Sequence, residues 1–294
     1  MTTLERRYRR LLLAYPRGYR SAHGDEILDL LLDTAEPGSS LPSLKETAGL
    51  FAGGLRARVT QAARGPAWVD GLHLGVTALT VVNLAVLVPY TRSLPLWVAL
   101  SALAVLAVLR GWLRPALPLV LVTGVKAGAL ATGTPLLDHT LLPVFPDFLV
   151  DSALYSTGGL LGAVAGHVLA FAGLLALAAC GQPVRTRSWC WLLPIPLLAA
   201  ADPAWLGYTV GAPPPQTRII AEFVLFGLGI WAGRMAGDLR WALASTIYLL
   251  AVSVSFGESL GYLSTQDVAY WGLLVLLTLF TAAVPYGRRR HALR

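Results

Sequence analysis

Long apolar runs follow one another over residues 67–287, separated by short polar connections. A bilayer core about 30 Å thick requires about 20 mostly apolar residues per helix, and the uncharged run 71–90 meets that length on its own. The pattern predicts eight spans, at residues 71–90, 94–109, 115–134, 153–181, 188–208, 219–236, 241–263 and 269–286. We therefore predict an all-α fold, a polytopic helical membrane bundle.

Residues 1–66 differ in kind, because short apolar periodicities alternate there with many charges. Two capping-box spacings, Thr2 with Glu5 and Ser43 with Glu46, predict helix starts, and Pro16 is expected to end or bend the first helix. With a further helix at about 19–35, this region is predicted to be a small three-helix domain. The predicted organisation is a prefix domain at 1–66, the bundle at 67–287 and a basic tail at 288–294.

The charge distribution predicts the orientation of the bundle. Of the 23 Lys and Arg residues, twenty fall on one side of the predicted spans; only Arg92 and Arg218 fall on the other, and Lys126 lies within a span. Basic residues accumulate in cytoplasmic segments, so both termini are expected in the cytoplasm of a cell-membrane protein. The net charge of +7 is then a topology signal that also favours anionic membrane lipids as partners, and no direct contact with nucleic acid is expected.

Composition argues against a soluble enzyme. Charged residues make up 13% of the chain, against roughly 25% in soluble domains. The sequence contains no Gly-x-x-x-x-Gly-Lys, His-Glu-x-x-His or Cys-x-x-Cys pattern. Its one Gly-x-Ser-x-Gly spacing, at residues 257–261, lies within a predicted span and not at a strand-to-helix turn. The two cysteines, Cys180 and Cys190, are expected near the cytoplasmic face as reduced thiols. We predict a non-enzymatic protein without catalytic residues, cofactor or metal site.

Five ionisable side chains inside the predicted spans are the candidates for a ligand or ion site, because such residues are costly in a membrane. They are Lys126, His167, Asp202, Glu222 and Glu258. All except His167 fall in the outer half of the bilayer, and Lys126 is expected to pair with Glu258 or Glu222. Either these residues form interhelical ion pairs, with Lys126 reaching the headgroups, or they line an outward-facing polar cavity. His167 is either a hydrogen-bonded packing residue or a proton relay.

The longest predicted external segment, residues 135–152, is acidic and contains three prolines. Asp138, His139, Asp147 and Asp151 offer oxygen and nitrogen ligands, but a solvated loop is the simpler interpretation. We therefore place no metal site there.

The second predicted helix carries a row of carboxylates. Asp25, Asp29 and Asp33 recur every four residues and so share one face, with Glu26 beside them. One interpretation is charge pairing with the arginines of the first helix together with a solvated surface. The other is a docking surface for a basic partner.

The prefix segment also resembles a known family. Its pattern of Tyr-Arg-x-Leu-Leu, Tyr-Pro-x-x-Tyr-Arg, Gly-x-Glu-Ile-Leu and a closing Asp is that of the bacterial permease-prefix and HAAS-type amino-terminal domains. The matching positions are Tyr8, Arg9, Leu11, Leu12, Tyr15, Pro16, Tyr19, Arg20, Gly24, Glu26, Ile27, Leu28 and Asp33. Such domains precede membrane segments in proteins associated with PadR-type transcription regulators, so the resemblance implies a regulator as cytoplasmic partner.

Three hypotheses for function follow. The first is a membrane sensor or regulator whose prefix domain binds a transcription regulator or another cytoplasmic partner. The second is a small transporter, or the membrane subunit of one that works with an ATPase subunit, using the intramembrane polar residues as its site. The third is a membrane enzyme acting on lipid, which the absence of the phosphate-loop, zinc-protease and dithiol patterns disfavours.

Overall fold

The computed structural model describes residues 2–35, 41–63, 65–138, 140, 159–199 and 216–291. Every regular element within these residues is a helix, with eleven α-helices and no strand. The predicted all-α fold is confirmed. The chain divides into two compact units, Met1–Gly65 and Pro66–Arg294, called here the prefix unit and the membrane unit.

The prefix unit contains α1 (Thr3–Leu11), a 3₁₀ turn (Leu12–Ala14), α2 (Arg17–Thr34) and α3 (Leu44–Ala62). Both predicted capping boxes are confirmed. The Thr2 and Ser43 hydroxyls accept from the main-chain N–H groups of Glu5 and Glu46, and each glutamate accepts from the N–H of its capping residue. These reciprocal bonds satisfy N–H groups that a helix start otherwise leaves without partners.

The core of the prefix unit gathers on one side of α1. Its buried members are Leu4, Tyr8, Leu12, Leu28 and Leu50. Helix α1 and the 3₁₀ turn contact both α2 and α3, so they lie between the two longer helices. The Arg58 side chain of α3 donates to the carbonyls of Leu13 and Ala14 and ties α3 to the turn.

The membrane unit consists of α4 (Ala67–Leu87), α5 (Pro95–Leu109), α6 (Leu113–Ala131), α7 (Leu160–Cys180), α8 (Pro194–Ala199), α9 (Gln216–Ala236), α10 (Arg240–Glu258) and α11 (Thr265–His291). Among the described residues of this unit, six segments are long and apolar enough to cross a membrane, whereas α5, with 15 residues, and Trp189–Ala199 are shorter. The protein is a multi-pass membrane protein.

Helix α4 is the centre of the bundle. Its span is 67% buried inside the protein, against at most 33% for the others, and it packs against α5, α7, α8 and α10. Small residues permit this close packing: a side chain at Gly71 would meet the backbone of Arg240, and one at Gly75 would meet Ile247. Most of the surface of α4 is therefore in contact with other parts of the protein.

Hydrogen bonds identify the two ends of the bundle. At one end, Arg187 bonds to both Asp70 at the start of α4 and Leu109 at the end of α5. At the other end, Glu258 of α10 bonds to Leu161 at the start of α7. We call these the Asp70 end and the Glu258 end. Helix α10 starts at the Asp70 end and α9, whose Gly229 and Gly233 lie beside Trp241, runs antiparallel to it, so α9 starts at the Glu258 end.

Several helix boundaries differ from the prediction. The first span begins at Ala67 and includes Asp70, whereas the prediction began after this charge. Helix α10 ends at Glu258, and a 3₁₀ turn follows where the prediction continued the helix to 263. Helix α11 continues to His291, so the predicted basic tail begins as helix.

Candidate functional site

The most extensive polar group in the membrane unit surrounds Asp70. Its carboxylate accepts from Arg187 Nη2 and from Arg240 Nη1, each at 2.5 Å. The side chains are 13%, 12% and 3% exposed, respectively, so the charges are largely removed from water. Asp238 completes the group by accepting from Arg240 Nε at 2.8 and 2.9 Å. Two carboxylates and two guanidinium groups balance, which a buried charge cluster requires.

His73 extends this network into the bundle. It is fully buried; its Nδ1 accepts from Arg187 Nε at 3.2 Å, and its Nε2 lies 2.9 Å from the Val108 carbonyl. A guanidinium only donates and a carbonyl only accepts, so the two contacts together require the neutral Nε2–H tautomer. The network thus joins α4, α5, α10 and the segment after α7. We call Asp70, His73, Arg187, Asp238 and Arg240 the Asp70 network.

Lys126 lies at the Glu258 end and is 2% exposed. Its ammonium pairs with Asp138, donates to the Leu136 carbonyl at 3.0 Å and lies 5.4 Å from the centre of the Trp97 ring. The predicted partners, Glu258 and Glu222, are therefore wrong. Asp138 was assigned to a solvated loop, but it is 7% exposed, because the chain folds back over the end of α6 and supplies a counter-ion from only twelve residues away.

This pair leaves two polar atoms without hydrogen bonds within the described part of the chain. They are Asp138 Oδ2 and Trp97 Nε1, both buried. The same ammonium that pairs with the other Asp138 oxygen faces the Trp97 ring, which favours a cation electrostatically. A carboxylate, a carbonyl and an aromatic face thus surround the Lys126 ammonium.

Glu222 has a different set of partners. Arg218, one turn before it on α9, donates from Nε at 3.0 Å, and the hydroxyl groups of Tyr248 and Tyr270 also donate to the carboxylate. Glu222 is 3% exposed. Three donors from three helices bond to this carboxylate, and they connect α9, α10 and α11.

Glu258 caps a neighbouring helix. Its two oxygens accept from the main-chain N–H groups of Leu161 and Gly162, at 2.9 and 2.5 Å. A carboxylate at a helix N-terminus satisfies N–H groups without intrahelical partners and complements the positive end of the helix dipole. A side chain at Gly159 or Gly162 would collide with this carboxylate or with Ser255. The two glycines at the start of α7 therefore leave the space that the Glu258 carboxylate occupies.

The remaining two intramembrane candidates differ. His167 is 6% exposed and packs against Gly124 of α6. Its burial fits the interpretation as a packing residue, and the proton relay stays a hypothesis. Asp202 lies outside the described residues. The described members do not converge on one another: Lys126, Glu222 and Glu258 each belong to a separate local group.

The acidic face of the prefix unit is exposed along its whole length. Asp25, Glu26, Asp29 and Asp33 are all exposed. Glu26 lies 3.6 Å from His23 of the same helix, and none of the three aspartates has an ion pair within the described residues. The first interpretation combined charge pairing with a solvated surface. The exposure of this face fits the solvated surface, whereas within the described residues the ion pair of α1 joins Arg9 to Glu5 in the same helix and not to this face.

Inside the prefix unit, Tyr8 and Glu46 form a link between α1 and α3. The Tyr8 hydroxyl donates to Glu46 Oε2 at 2.8 Å. Burial, together with the neighbouring carboxylate, raises the pKa of Tyr8 to about 12. The Tyr8 hydrogen bond, with those from Ser43, lowers the pKa of the Glu46 carboxyl. The same glutamate therefore caps α3 and fixes α1 against it.

The Asp70 network was missed by sequence reasoning, which treated charges beside a span as its boundaries. The sequence did contain a signal for this network. Charged residues of both signs, Asp70, Arg187 and Arg240, each lie within four residues of a predicted span, and all three lie on the same side of the predicted membrane. No family model matches the chain, and no solved structure matches it. Its function is therefore argued from its own residues.

Proposed function

We propose that this protein is a non-enzymatic regulator in the cell membrane, whose prefix unit binds a basic cytoplasmic partner through the acidic face of α2. A PadR-type transcription regulator is the partner that the resemblance of the prefix segment implies. The membrane unit holds the prefix unit at the membrane and responds to a ligand, a lipid or a state of the envelope.

The observation that carries the proposal is the unpaired acidic face. Asp25, Asp29 and Asp33 stand exposed on one side of α2, while Leu28, on another side of the same helix, is 3% exposed and belongs to the core. Carboxylates that have no role in the fold are free to attract a basic surface. Complementary charge of this kind sets encounter rate and specificity more than affinity.

The orientation follows from the basic residues. Arg110, Arg114, Arg185 and Arg234 belong to segments that begin or end at the Asp70 end, as do the paired Arg187 and Arg240. Arg92 and Arg218 belong to the Glu258 end. The positive-inside tendency places the Asp70 end in the cytoplasm, and the prefix unit precedes a helix that begins at this end.

Reporter fusions test the orientation. A reporter active only outside the cell should be silent when fused after Arg294 and active when inserted within residues 135–152. Activity after Arg294 would mean an odd number of crossings and would refute a cytoplasmic carboxyl end.

Partner binding is tested with the triple change of Asp25, Asp29 and Asp33 to asparagine in the full chain. Exposed charge changes usually alter stability by less than about 0.5 kcal/mol, so the fold should persist. A partner that co-purifies with the wild-type protein from native membranes should bind the triple variant more weakly and with less dependence on salt. Leu28→Ala is the control for unfolding, since it removes a buried core side chain and should also abolish binding, with loss of helical signal. Unchanged affinity of the triple variant at low salt would refute the acidic docking surface.

The alternative function, a small transporter or a transporter subunit, would use the intramembrane polar residues. In the described part of the chain these residues bond to separate neighbours, and Lys126, Glu222 and Glu258 each have local partners of their own. This separation favours the regulator over the transporter. Recovery of an ATPase subunit in place of a regulator, together with solute uptake abolished by Glu222→Gln, would reverse that preference.

A further inference from the structure

Helix α3 presents a second surface of the prefix unit, apolar instead of acidic. Leu44 is 90% exposed, Phe51 60% and Leu55 49%. Ala48, Ala52 and Ala62 are exposed as well. Five of these exposed residues form one stripe along the helix, because successive members are three, four or seven residues apart, at positions 44, 48, 51, 55 and 62. Leu50 and Gly54, which are buried, lie on another side and pack into the core. We call this stripe the outer face of α3.

The borders of the outer face are cationic. Lys45 and Arg56 are exposed, and their helical positions place both along one edge of the stripe; Arg58 lies along the other. The single acidic residue of α3, Glu46, is engaged by Tyr8 and Ser43. An apolar stripe with basic edges and no free carboxylate is the composition of helices that lie in the interface of an anionic membrane.

We propose that the outer face of α3 docks on the anionic lipid headgroups of the membrane that the protein spans. The occupant is the lipid surface, reached by the apolar side chains at the acyl boundary and by Lys45 and Arg56 at the phosphates. The proposal requires only that α4 crosses the membrane and is independent of any cytoplasmic partner.

Chain length makes this contact accessible. Four residues separate Ala62, the end of α3, from Ala67, the start of α4, and each residue spans at most about 3.6 Å. Trp68, Trp112 and Trp189 are 49–61% exposed, and all three lie next to the Asp70 end. Exposed tryptophans of this kind mark the headgroup level. The carboxyl end of α3 is thus tethered within a few residues of that level.

Charge argues against a second copy as the occupant. If two α3 helices paired through their outer faces, an antiparallel arrangement would place Lys45 of one copy beside Arg56 of the other. A parallel arrangement would bring the edge that carries Arg56 against the edge of the partner copy that carries Arg58. Like charges at both edges oppose such a pair, whereas phosphate groups neutralise them. Each basic residue near an anionic leaflet favours the bound state by a factor of about five.

The test uses the full chain in lipid nanodiscs with a nitroxide label. The exposed cysteines Cys180 and Cys190 are replaced by serine, and a single cysteine is introduced at Ala48, on the outer face. The matched control carries the label at Ala22, an exposed alanine of α2. Power saturation then compares collisions with oxygen, which concentrates in the membrane, and with a neutral nickel chelate, which stays in water.

In discs of phosphatidylglycerol and phosphatidylcholine, the label at Ala48 should favour oxygen and the label at Ala22 the nickel chelate. Changing Lys45 and Arg56 to glutamine should lower the ratio of docked to undocked forms by about thirtyfold, and pure phosphatidylcholine should weaken docking in the same direction. The spectrum of the label at Ala22 should not change, which shows that the prefix unit remains folded. A label at Leu55 gives a second position on the same face.

Three outcomes would overturn the proposal. Equal nickel access at Ala48 and Ala22 in the anionic discs would show that the outer face stays in water. Dipolar broadening between labels at Ala48 that disappears on dilution with unlabelled protein would make a second copy the occupant. Protection at Ala48 that is unchanged by lipid charge and by the double glutamine variant would mean that protein, not lipid, covers the face.

Discussion

Replacing Asp70 with asparagine tests whether the Asp70 network holds the membrane unit together. Asparagine has the shape of aspartate but removes the charge that faces two guanidinium groups at 2.5 Å. Its amide nitrogen can only donate, so one of the two arginines loses an acceptor and meets a second donor. The change therefore perturbs the electrostatics of the site without creating a cavity.

The magnitude follows from burial and from the contacts that remain. Removing one partner of a buried ion pair costs about 3–5 kcal/mol when the other charge is left alone. Here Arg240 keeps Asp238, and Arg187 keeps the main-chain carbonyl of Asp70 at 2.9 Å and His73 at 3.2 Å. We therefore expect Asp70→Asn to lower the free energy of unfolding by about 2–3 kcal/mol. Asp238→Asn should cost about 1 kcal/mol, because Asp238 is 21% exposed and Arg240 retains Asp70.

Unfolding in mixed micelles with a rising fraction of sodium dodecyl sulfate, followed by tryptophan fluorescence, measures these differences. The double variant Asp70→Asn/Arg240→Gln should be more stable than the sum of the two single effects predicts, by about 1 kcal/mol or more, because contacting residues are not independent. An Asp70→Asn effect below about 0.5 kcal/mol, or strict additivity in the double variant, would refute the proposed coupling.

Four further predictions concern contacts seen in the structure. Lys126→Met should lower the free energy of unfolding by about 3 kcal/mol by leaving Asp138 buried and alone, and adding Asp138→Asn should recover part of the loss in the same micelle assay; strict additivity would contradict the pair. Glu258→Gln should cost about 1 kcal/mol by removing the negative charge at the start of α7, and a wild-type unfolding curve would show that the cap contributes nothing. The pKa of Tyr8 is raised to about 12, so its contribution to stability is intact below the usual value near pH 10 and is lost as the pH rises toward 12; the tyrosinate absorbance that distinguishes wild type from Tyr8→Phe should appear near pH 12, not near pH 10. The pKa of Glu46 is lowered, so its contribution is present above the usual value near 4.5 and decreases as the pH falls below it, and acid unfolding of the prefix unit should lose this step in Glu46→Gln.

Patterns among residues close together in the sequence were sufficient to predict the helices of the prefix unit. Both capping boxes fix helix starts through bonds within four residues of the chain, and Pro16 stands at the start of α2 as a helix breaker should. What the sequence did not predict is the sharing of Glu46, which caps α3 and also binds Tyr8, 38 residues away. Periodicity places a residue on a face of its helix, but it does not identify which helix lies opposite.

The same limit explains the errors in the membrane unit. Depth in the bilayer was the basis for pairing Lys126 with Glu258 or Glu222, but depth does not specify which helices are adjacent. Asp138 was discounted because it lies beyond the end of a span, yet the chain after α6 folds back over Lys126. Asp70 was excluded from the first span because a lone charge there is costly. Two arginines distant in sequence remove that cost.

Charge compensation is the rule that connects these groups, and it bears on function. Asp70 and Asp238 balance Arg187 and Arg240, Asp138 balances Lys126, and Arg218 balances Glu222. Glu258 instead faces the N–H groups at the start of α7. A pathway for an ion requires a charged side chain that is free to exchange its partner for the ion. Within the described residues of the bundle, each of these charges already has a partner on the protein. The bonds of Asp70 with Arg240 and of Glu258 with the start of α7 join different helices, so these charges help to fix the packing of the membrane unit. In the part of the chain that the structure describes, the exposed carboxylates without an ion pair include the three aspartates on the acidic face of α2. We therefore expect recognition of a soluble partner at the prefix unit and not at the bundle.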